Sequence, residues 1–273
     1  MHQAQHDTWA LPKSPLRPGE HPLLVALRAV TEGTGYTAVA GRPLGHTGYE
    51  AGLADKGVCY WAMQATSSTW IPSTKADTVH WLPLKAALHR LDDHHDYRPL
   101  VAFAIDPVPT RAQLLVRHAS AGDRASWPYA DHQRPLDEYG RKQAAVLVEI
   151  LTAYGIGRVV CAAVRRCRET VELYAQYAEV ALESVFLFSA EGHAAAPEAA
   201  VQRLVTIVAD PRPSVVCSQR EAIPDLLAGL CAALGVAVPD EPQLDKGGYC
   251  VLHLAAGSEA GRVVGIEVGQ PLP

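Results

Sequence analysis

The sequence predicts an α/β fold for its second half, built on a largely parallel sheet that is flanked by helices. Three short apolar runs, at residues 113–116, 159–163 and 214–218, are too brief for helices and are typical of buried strands. Stretches with apolar residues at helical spacing lie between them, as over residues 144–151. In an open sheet of this kind, functional residues gather where the parallel strands end, at the carboxyl edge.

Length and composition favour a globular protein. The chain has 273 residues and a net charge of −5, and this acidic balance argues against a protein that coats nucleic acid. No apolar run approaches the roughly 18 residues of a membrane span, and residues 1–13 lack the apolar core of a signal peptide. We therefore expect a cytoplasmic protein that binds neither nucleic acid nor membrane.

The sequence divides near residue 108. Pro107 and Pro109 mark a linker at which the composition changes, so we expect one domain over residues 1–108 and another over 109–273. Six cysteines are scattered over both parts without a C-x-x-C pair, which gives no sign of a zinc site or a redox motif.

The first domain is predicted to be a smaller α+β unit. A helical pattern runs over residues 23–30 and ends at the glycines of 33–35. A strand is expected over 58–63 and a short helix over 84–91. The segment 94–96, His-His-Asp, is expected in a solvated loop, because adjacent histidines do not share a face on which they could bind a metal ion.

The first domain also has a spaced set of residues before and within its predicted helix: Ser14, Glu20, Arg28-Ala29, Val30, Glu32-Gly33 and Gly35. This spacing resembles that of the Nudix box, which runs Gly, five residues, Glu, seven residues, Arg-Glu, an apolar residue, any residue, Glu-Glu, any residue and Gly. Most of this domain therefore resembles a degenerate Nudix hydrolase domain in the order of its parts.

The box has lost most of its metal ligands. In the family three glutamates share one helix face and hold a divalent metal ion, whereas this sequence has Ala29, Glu32 and Gly33 in those places. Glu20 and Glu32 remain, so we expect no metal site and no metal-dependent pyrophosphohydrolase activity. We expect the strands that usually precede the box to be absent or to lie upstream. A packing or docking role and a residual nucleotide-binding surface both stay open.

The second domain continues with further elements in order. Asp137 is predicted as the N-cap of a helix that ends near Gly155, and Pro197 leads another helix. The closing elements are a helix over 226–234 and strands over 249–254 and 263–268.

Polar and charged residues follow each of the three apolar runs. Arg117-His118 follows the first run, Arg166 lies four residues before Thr170, and Gln219 follows the third run. Between them the sequence has Arg134-Pro135-Leu136, Gly140 and Gln143-Ala144. This pattern resembles the histidine phosphatase superfamily, with its phosphoglycerate-mutase-like three-layer fold, and in particular the short SixA-like branch. Gln219 departs from it, because the family has a second histidine there.

The resemblance implies a division of roles at the carboxyl edge. His118 would be the nucleophile that forms a phosphohistidine, and Arg117 and Arg166 would clamp the phosphoryl oxygens. Gln219 could still donate a hydrogen bond through its amide, although it is uncharged. No metal ion or other cofactor is expected, because the arginines supply the charge.

The leaving group also needs a proton donor. The sequence offers Glu191 and Asp123 and does not choose between them, and His193 has a weaker claim as a substitute.

The order of the two domains resembles that of the actinobacterial two-domain MutT-type proteins, which act on nucleotides. This resemblance implies a phosphatase for a nucleotide-like or other small phosphoester, weakened by Gln219. Two alternatives stay open: a pseudoenzyme that binds a phosphorylated ligand or a partner protein, and a site repurposed for other chemistry on a phosphorylated metabolite. A homo-oligomer is also left open.

Overall fold

The first and second halves of the chain form two units in the computed structural model, Met1–Pro109 and Thr110–Pro273. The structure describes residues 1–3, 7–51, 54–66, 78–240 and 242–271. No helix in these ranges has the length and apolar character that would be needed to cross a membrane.

The first unit combines short helices with two antiparallel strand pairs. Its elements are β1 (His2–Gln3), β2 (Thr8–Trp9), α1 (Pro22–Thr34), β3 (Ala38–Ala51), β4 (Ala54–Ala65), α2 (Leu84–Arg90) and α3 (His94–Ile105). β1 pairs with β2, and the longer β3 pairs with β4. This mixture agrees with the α+β composition that the sequence predicts.

The remnants of the Nudix pattern lie on and before α1. Glu20 precedes the helix and binds Arg28, with Oε1 2.5 Å from Nη1 and Oε2 3.1 Å from Nη2. Ala29 is buried and Glu32 is exposed. Within the described ranges, no group of three or more His, Cys, Asp or Glu side chains is placed to hold a metal ion. The assignment of this unit to the Nudix family stays a prediction.

The segment 94–96 does not form the solvated loop that the sequence suggests. It begins α3, whose N-cap Asp93 accepts a hydrogen bond from the backbone N–H of His95. Asp96 is fully buried; it accepts hydrogen bonds from Tyr60 Oη and Leu11 N–H, each at 2.8 Å, and forms an ion pair with Lys13. The loop expectation is wrong because these distant partners compensate the burial of the carboxylate.

The second unit is an α/β domain with one six-stranded mixed sheet, so the predicted fold class is confirmed. Its strands are β5 (Thr110–Arg117), β6 (Arg158–Ala162), β7 (Leu182–Val185), β8 (Ser214–Ser218), β9 (Tyr249–Ala255) and β10 (Val263–Gly269). The strand order is β10-β9-β5-β8-β6-β7. β5, β8, β6 and β7 run parallel, whereas β9 is antiparallel to β5 and β10 to β9.

Helices connect the strands and cover the sheet. They are α4 (Glu138–Ala153), α5 (Arg165–Tyr177), α6 (Ala190–Ala195), α7 (Pro197–Ala209) and α8 (Ile223–Leu234). Every residue of β8 and β9 is buried, which explains why these strands appear in the sequence as continuous apolar runs rather than alternating ones. α4 packs with α5, and α7 packs with α8.

The register of the parallel strands determines which residues meet at the carboxyl edge. Arg117 at the end of β5 lies opposite Ser218 at the end of β8. The backbone N–H of the next residue, His118, donates to the carbonyl of Ser218 at 3.0 Å. His118 and Gln219 therefore leave the sheet side by side.

A close approach between α4 and the segment after His118 holds this edge together. Asp137, the N-cap of α4, accepts hydrogen bonds from Gly140 N–H, Ser120 Oγ and Gly122 N–H, each at 2.7 Å. A Cβ at Gly140 would overlap the carbonyl oxygen of Ser120. Only glycine fits at this position unless the backbone moves.

We expect Gly140→Ala to lower the free energy of unfolding by roughly 2–3 kcal/mol, because the methyl group must displace the backbone at Ser120. Urea unfolding followed by circular dichroism measures this loss. Gly157→Ala is the matched control, since a Cβ at Gly157 has no atom within 4 Å. Equal stabilities of the two variants would contradict the close approach.

Candidate functional site

A pocket of about 740 Å³ opens at the carboxyl edge of β5, β8 and β6. Charged and polar side chains dominate its lining, with six cationic residues and three acidic ones. The cationic residues are Arg117, Arg124, Arg134, Arg166, Arg220 and Lys246, and the acidic ones are Asp131, Glu191 and Glu221. This excess of positive charge favours an anionic ligand.

His118 lies in this pocket and is held in one tautomer. Its side chain is buried, with 7% of the residue exposed. Nδ1 lies 2.8 Å from the carbonyl oxygen of Ala119, so Nδ1 carries the proton that it donates to this oxygen. Nε2 lies 3.2 Å from Nε of Arg166, from which it accepts a hydrogen bond. The lone pair of the imidazole is therefore on Nε2.

Burial and neighbouring charges keep the His118 ring neutral. Removal from water lowers its pKa to about 3, and the charges of Arg166, Arg117 and Arg134 act in the same direction. The hydrogen bond to Ala119 opposes this shift but does not cancel it. At neutral pH the ring is therefore uncharged, and its Nε2 is unprotonated.

Arg166 stands in the first turn of α5 and binds both His118 and Asp131. It donates through Nη1 to the backbone oxygen of Asp131 at 2.8 Å and through Nη2 to its carboxylate at 2.9 Å. Thr170 supports this turn, because its Oγ1 donates to the carbonyl of Arg166 and accepts from Ala119 N–H. The four-residue spacing between Arg166 and Thr170 thus joins α5 to the residue after His118.

Asp131 is a site residue that sequence reasoning missed. It lies in a one-turn 3-10 helix, Asp131–Gln133, and also accepts from Arg134 Nε at 3.0 Å. Burial raises its pKa, but the charges and hydrogen bonds of Arg166 and Arg134 outweigh this effect, so the net shift is downward. Its proximity to Arg134 in the sequence was the one available signal.

Arg117 and Gln219 line the pocket beside His118. Arg117 donates through Nη1 to the carbonyl of Leu244 at 2.8 Å, while its buried Nε has no hydrogen-bond partner among the described residues. Gln219 is 6% exposed, and its Oε1 accepts from the backbone N–H of Ala190 at 2.9 Å. The amide NH₂ of Gln219 therefore remains as its donor for a ligand.

The three candidate proton donors lie in different places. Glu191 is exposed and lines the pocket. Asp123 lines an adjoining depression of about 140 Å³ that shares Gly122 and Arg134 with the pocket, and it accepts from Ala125 N–H. His193 is 6% exposed, does not line the pocket, and has Nε2 3.8 Å from Asp225 Oδ2. Of these residues the structure brings Glu191 alone into the pocket with His118.

Comparisons with a family model and with known protein sequences both found matches to this chain. The family model of the histidine phosphatase superfamily (branch 1) matches residues 113–185. A relative from Mycolicibacterium smegmatis, named 8-oxo-(d)GTP phosphatase, is 37% identical over 261 residues, which cover 96% of this chain and 81% of the relative. This match therefore extends along both units.

Two solved structures show a weaker likeness. A mycobacterial glucosyl-3-phosphoglycerate phosphatase is 16% identical with a TM-score of 0.41, and the match covers 60% of this chain and 99% of that chain. The protein histidine phosphatase SixA complexed with tungstate is 18% identical with a TM-score of 0.44, and the match covers 59% and 97% of the two chains.

The lowered pKa of His118 predicts a pH-dependent loss of stability. Because the unfolded state binds a proton near pH 6.5 and the folded state only near pH 3, the free energy of unfolding falls as the pH drops through this window. Between neutral pH and pH 5 this term is about 2 kcal/mol. Urea unfolding of the wild type and of His118→Gln in phosphate-free buffer measures this contribution as the difference between the two proteins. If both proteins lost the same free energy, the neutral buried imidazole would be contradicted.

Proposed function

Because the chain belongs to the histidine phosphatase superfamily, we propose that it is a phosphatase that works through a phosphohistidine at His118. The hydrolase class expected from the sequence, a phosphatase, agrees with this family. The observation that carries the proposal is the lone pair of a neutral Nε2 within a cationic pocket, beside Arg166.

The reaction would proceed in two steps. Nε2 of His118 attacks phosphorus, so that an N–P bond forms while the P–O bond to the leaving group breaks. An acid gives its proton to the departing oxygen. Water then attacks the phosphohistidine, the N–P bond breaks, and inorganic phosphate leaves with Nε2 restored. Neutral imidazole is required for the first step, and the lowered pKa of His118 secures it.

Arginines would stabilise the transferring phosphoryl group. Among the described residues Arg117 Nε has no hydrogen-bond partner, and Arg166 already points Nε at the attacking nitrogen. Guanidinium groups match phosphoryl oxygens in geometry and charge. The protein's own side chains would therefore supply the charge stabilisation, and we expect turnover without a metal ion or other cofactor.

Glu191 is the proton donor that we favour. It lines the pocket that holds His118, whereas Asp123 lies in a different depression. Asp131 is less suited to this role, because its pKa is lowered by the arginines that it binds. Its contacts support a role in orienting Arg166.

For the substrate we propose a nucleotide-like or other small phosphoester. The M. smegmatis relative is named 8-oxo-(d)GTP phosphatase, and a pocket of about 740 Å³ lies within the usual range for small-molecule sites. A second candidate function is a phosphate-binding pseudoenzyme. It is favoured by Gln219, which adds no charge to the site.

We expect His118→Ala to abolish phosphate release, with a fall on the order of 10³-fold or more, because no other nucleophile replaces Nε2. The assay is phosphate release from a panel of nucleotides and sugar phosphates with chelator present. The exposed His89 supplies the control variant His89→Ala, which should keep wild-type activity.

A second measurement tests whether the phosphohistidine intermediate forms. Brief reaction with a labelled substrate should give an acid-labile phosphoenzyme in the wild type and none in His118→Ala. Undiminished release in His118→Ala would disprove the nucleophile, and no release from any protein would favour the pseudoenzyme.

We also expect Gln219→His to raise phosphatase activity on the order of 10²-fold, because it restores a donor that can carry charge at the transferring group. Steady-state kinetics of wild type and variant measure the effect, with Gln219→Ala as the variant that loses the amide donor. Unchanged activity in Gln219→His would refute the proposal that the lack of a charged donor at position 219 limits the activity. A loss of the native activity alongside a gain in phosphatase activity would indicate a repurposed site.

A further inference from the structure

Most guanidinium donors near His118 are engaged within the protein. Arg166 uses Nε on His118 and both Nη atoms on Asp131. Arg134 donates Nε to Asp131 and Nη1 to the carbonyls of Ala121 and Gly122. One carboxylate thus offsets part of the charge of two arginines. A phosphoryl dianion entering the pocket would be stabilised by a further cation with free donors.

Arg220 is placed to be that cation. β8 ends opposite Arg117, and the carbonyl of Gln219 accepts from the backbone N–H groups of Ala222 and Ile223, each at 3.1 Å, which closes the turn into α8. Arg220 lies in this turn and lines the pocket. Among the residues that the structure describes, its guanidinium makes no hydrogen bond or ion pair.

Arg220 and Arg117 line the same pocket. Burial lowers the pKa of Arg117, and the charge of Arg220 lowers it further, while Glu221 and Asp245 partly offset the effect. Two like charges at one pocket repel each other, and an anion between them converts this repulsion into attraction. The arrangement of Arg117 and Arg220 is therefore suited to a bound anion.

We propose that Arg220 binds the phosphoryl group of the substrate and supplies the positive charge that the adjacent Gln219 lacks. The inference rests on the proposed function of this pocket and names a further substrate-binding residue for it. Arg124 and Lys246 also line the pocket. Nε of Arg124 lies 3.8 Å from Oδ1 of Asp131, and the charge of Lys246 lowers the pKa of Asp137. Arg220 is the one of the three that directly follows Gln219, the residue that leaves the sheet beside His118.

The test is the affinity of the full-length chain for inorganic phosphate, measured by calorimetry. Near pH 8, where phosphate is a dianion, Arg220→Gln should bind about tenfold more weakly than the wild type, as for loss of a charge-assisted hydrogen bond. Arg220→Lys should lose less, because it keeps the charge. Arg168→Gln is the matched control, since Arg168 is exposed on α5, pairs with Glu172 and does not line the pocket.

A second condition separates charge from structure. Near pH 5 phosphate is a monoanion, so the difference between the wild type and Arg220→Gln should shrink. Equal affinity of these two proteins at pH 8 would overturn the proposal. Affinity as low in Arg220→Lys as in Arg220→Gln, or an equal loss at both pH values, would also overturn it.

Phosphate binding through Arg220 and substrate turnover at His118 can be lost separately, so the two proposals can be told apart. Phosphate binding that depends on Arg220, in a protein that releases no phosphate from any substrate, would support the anion site and remove the phosphatase. Phosphate release that depends on His118 but not on Arg220 would support the phosphatase and overturn the role of Arg220.

Discussion

The buried guanidinium of Arg166 is the group on which the arrangement of the site depends. It donates to Nε2 of His118 and, with its two other nitrogens, to the backbone and carboxylate of Asp131. Three separate segments of the chain therefore meet at one residue that is 3% exposed. A buried charge of this kind is tolerated because every one of these nitrogens has a partner. Loss of Asp131 would leave this charge without its carboxylate.

The same burial gives the imidazole its reactivity. A histidine in water is partly protonated near neutral pH, whereas desolvation and three arginines hold His118 neutral. The hydrogen bond from Nδ1 to Ala119 then directs the lone pair to Nε2. The cations that are suited to bind a phosphoryl group are thus the ones that keep the nucleophile unprotonated. In the proposed reaction, substrate binding and nucleophile activation would arise from one electrostatic arrangement.

The first unit uses its acidic side chains in internal contacts. Glu20 binds Arg28 across the beginning of α1, and the buried Asp96 joins Lys13, Tyr60 and the backbone of Leu11. Carboxylates that are already neutralised by cations and donors are poorly available to a divalent metal ion. These contacts join the segment before α1 to α1, β4 and α3 within the first unit.

The sequence by itself indicated five of the six strands of the second unit and the pair Arg117-His118, because apolar runs of strand length are local signals. It did not indicate β7, which has four residues and is only partly buried. The predicted third strand, 214–218, agrees with β8 to the residue. The tertiary structure decided which of the candidate proton donors lines the pocket with His118, brought Asp131 to Arg166, and placed Arg220 in the same pocket as Arg117. It also turned the segment at Asp96 from an expected loop into a buried helix start. These features depend on contacts between residues that are distant in the chain, and such contacts leave no periodic pattern in the sequence.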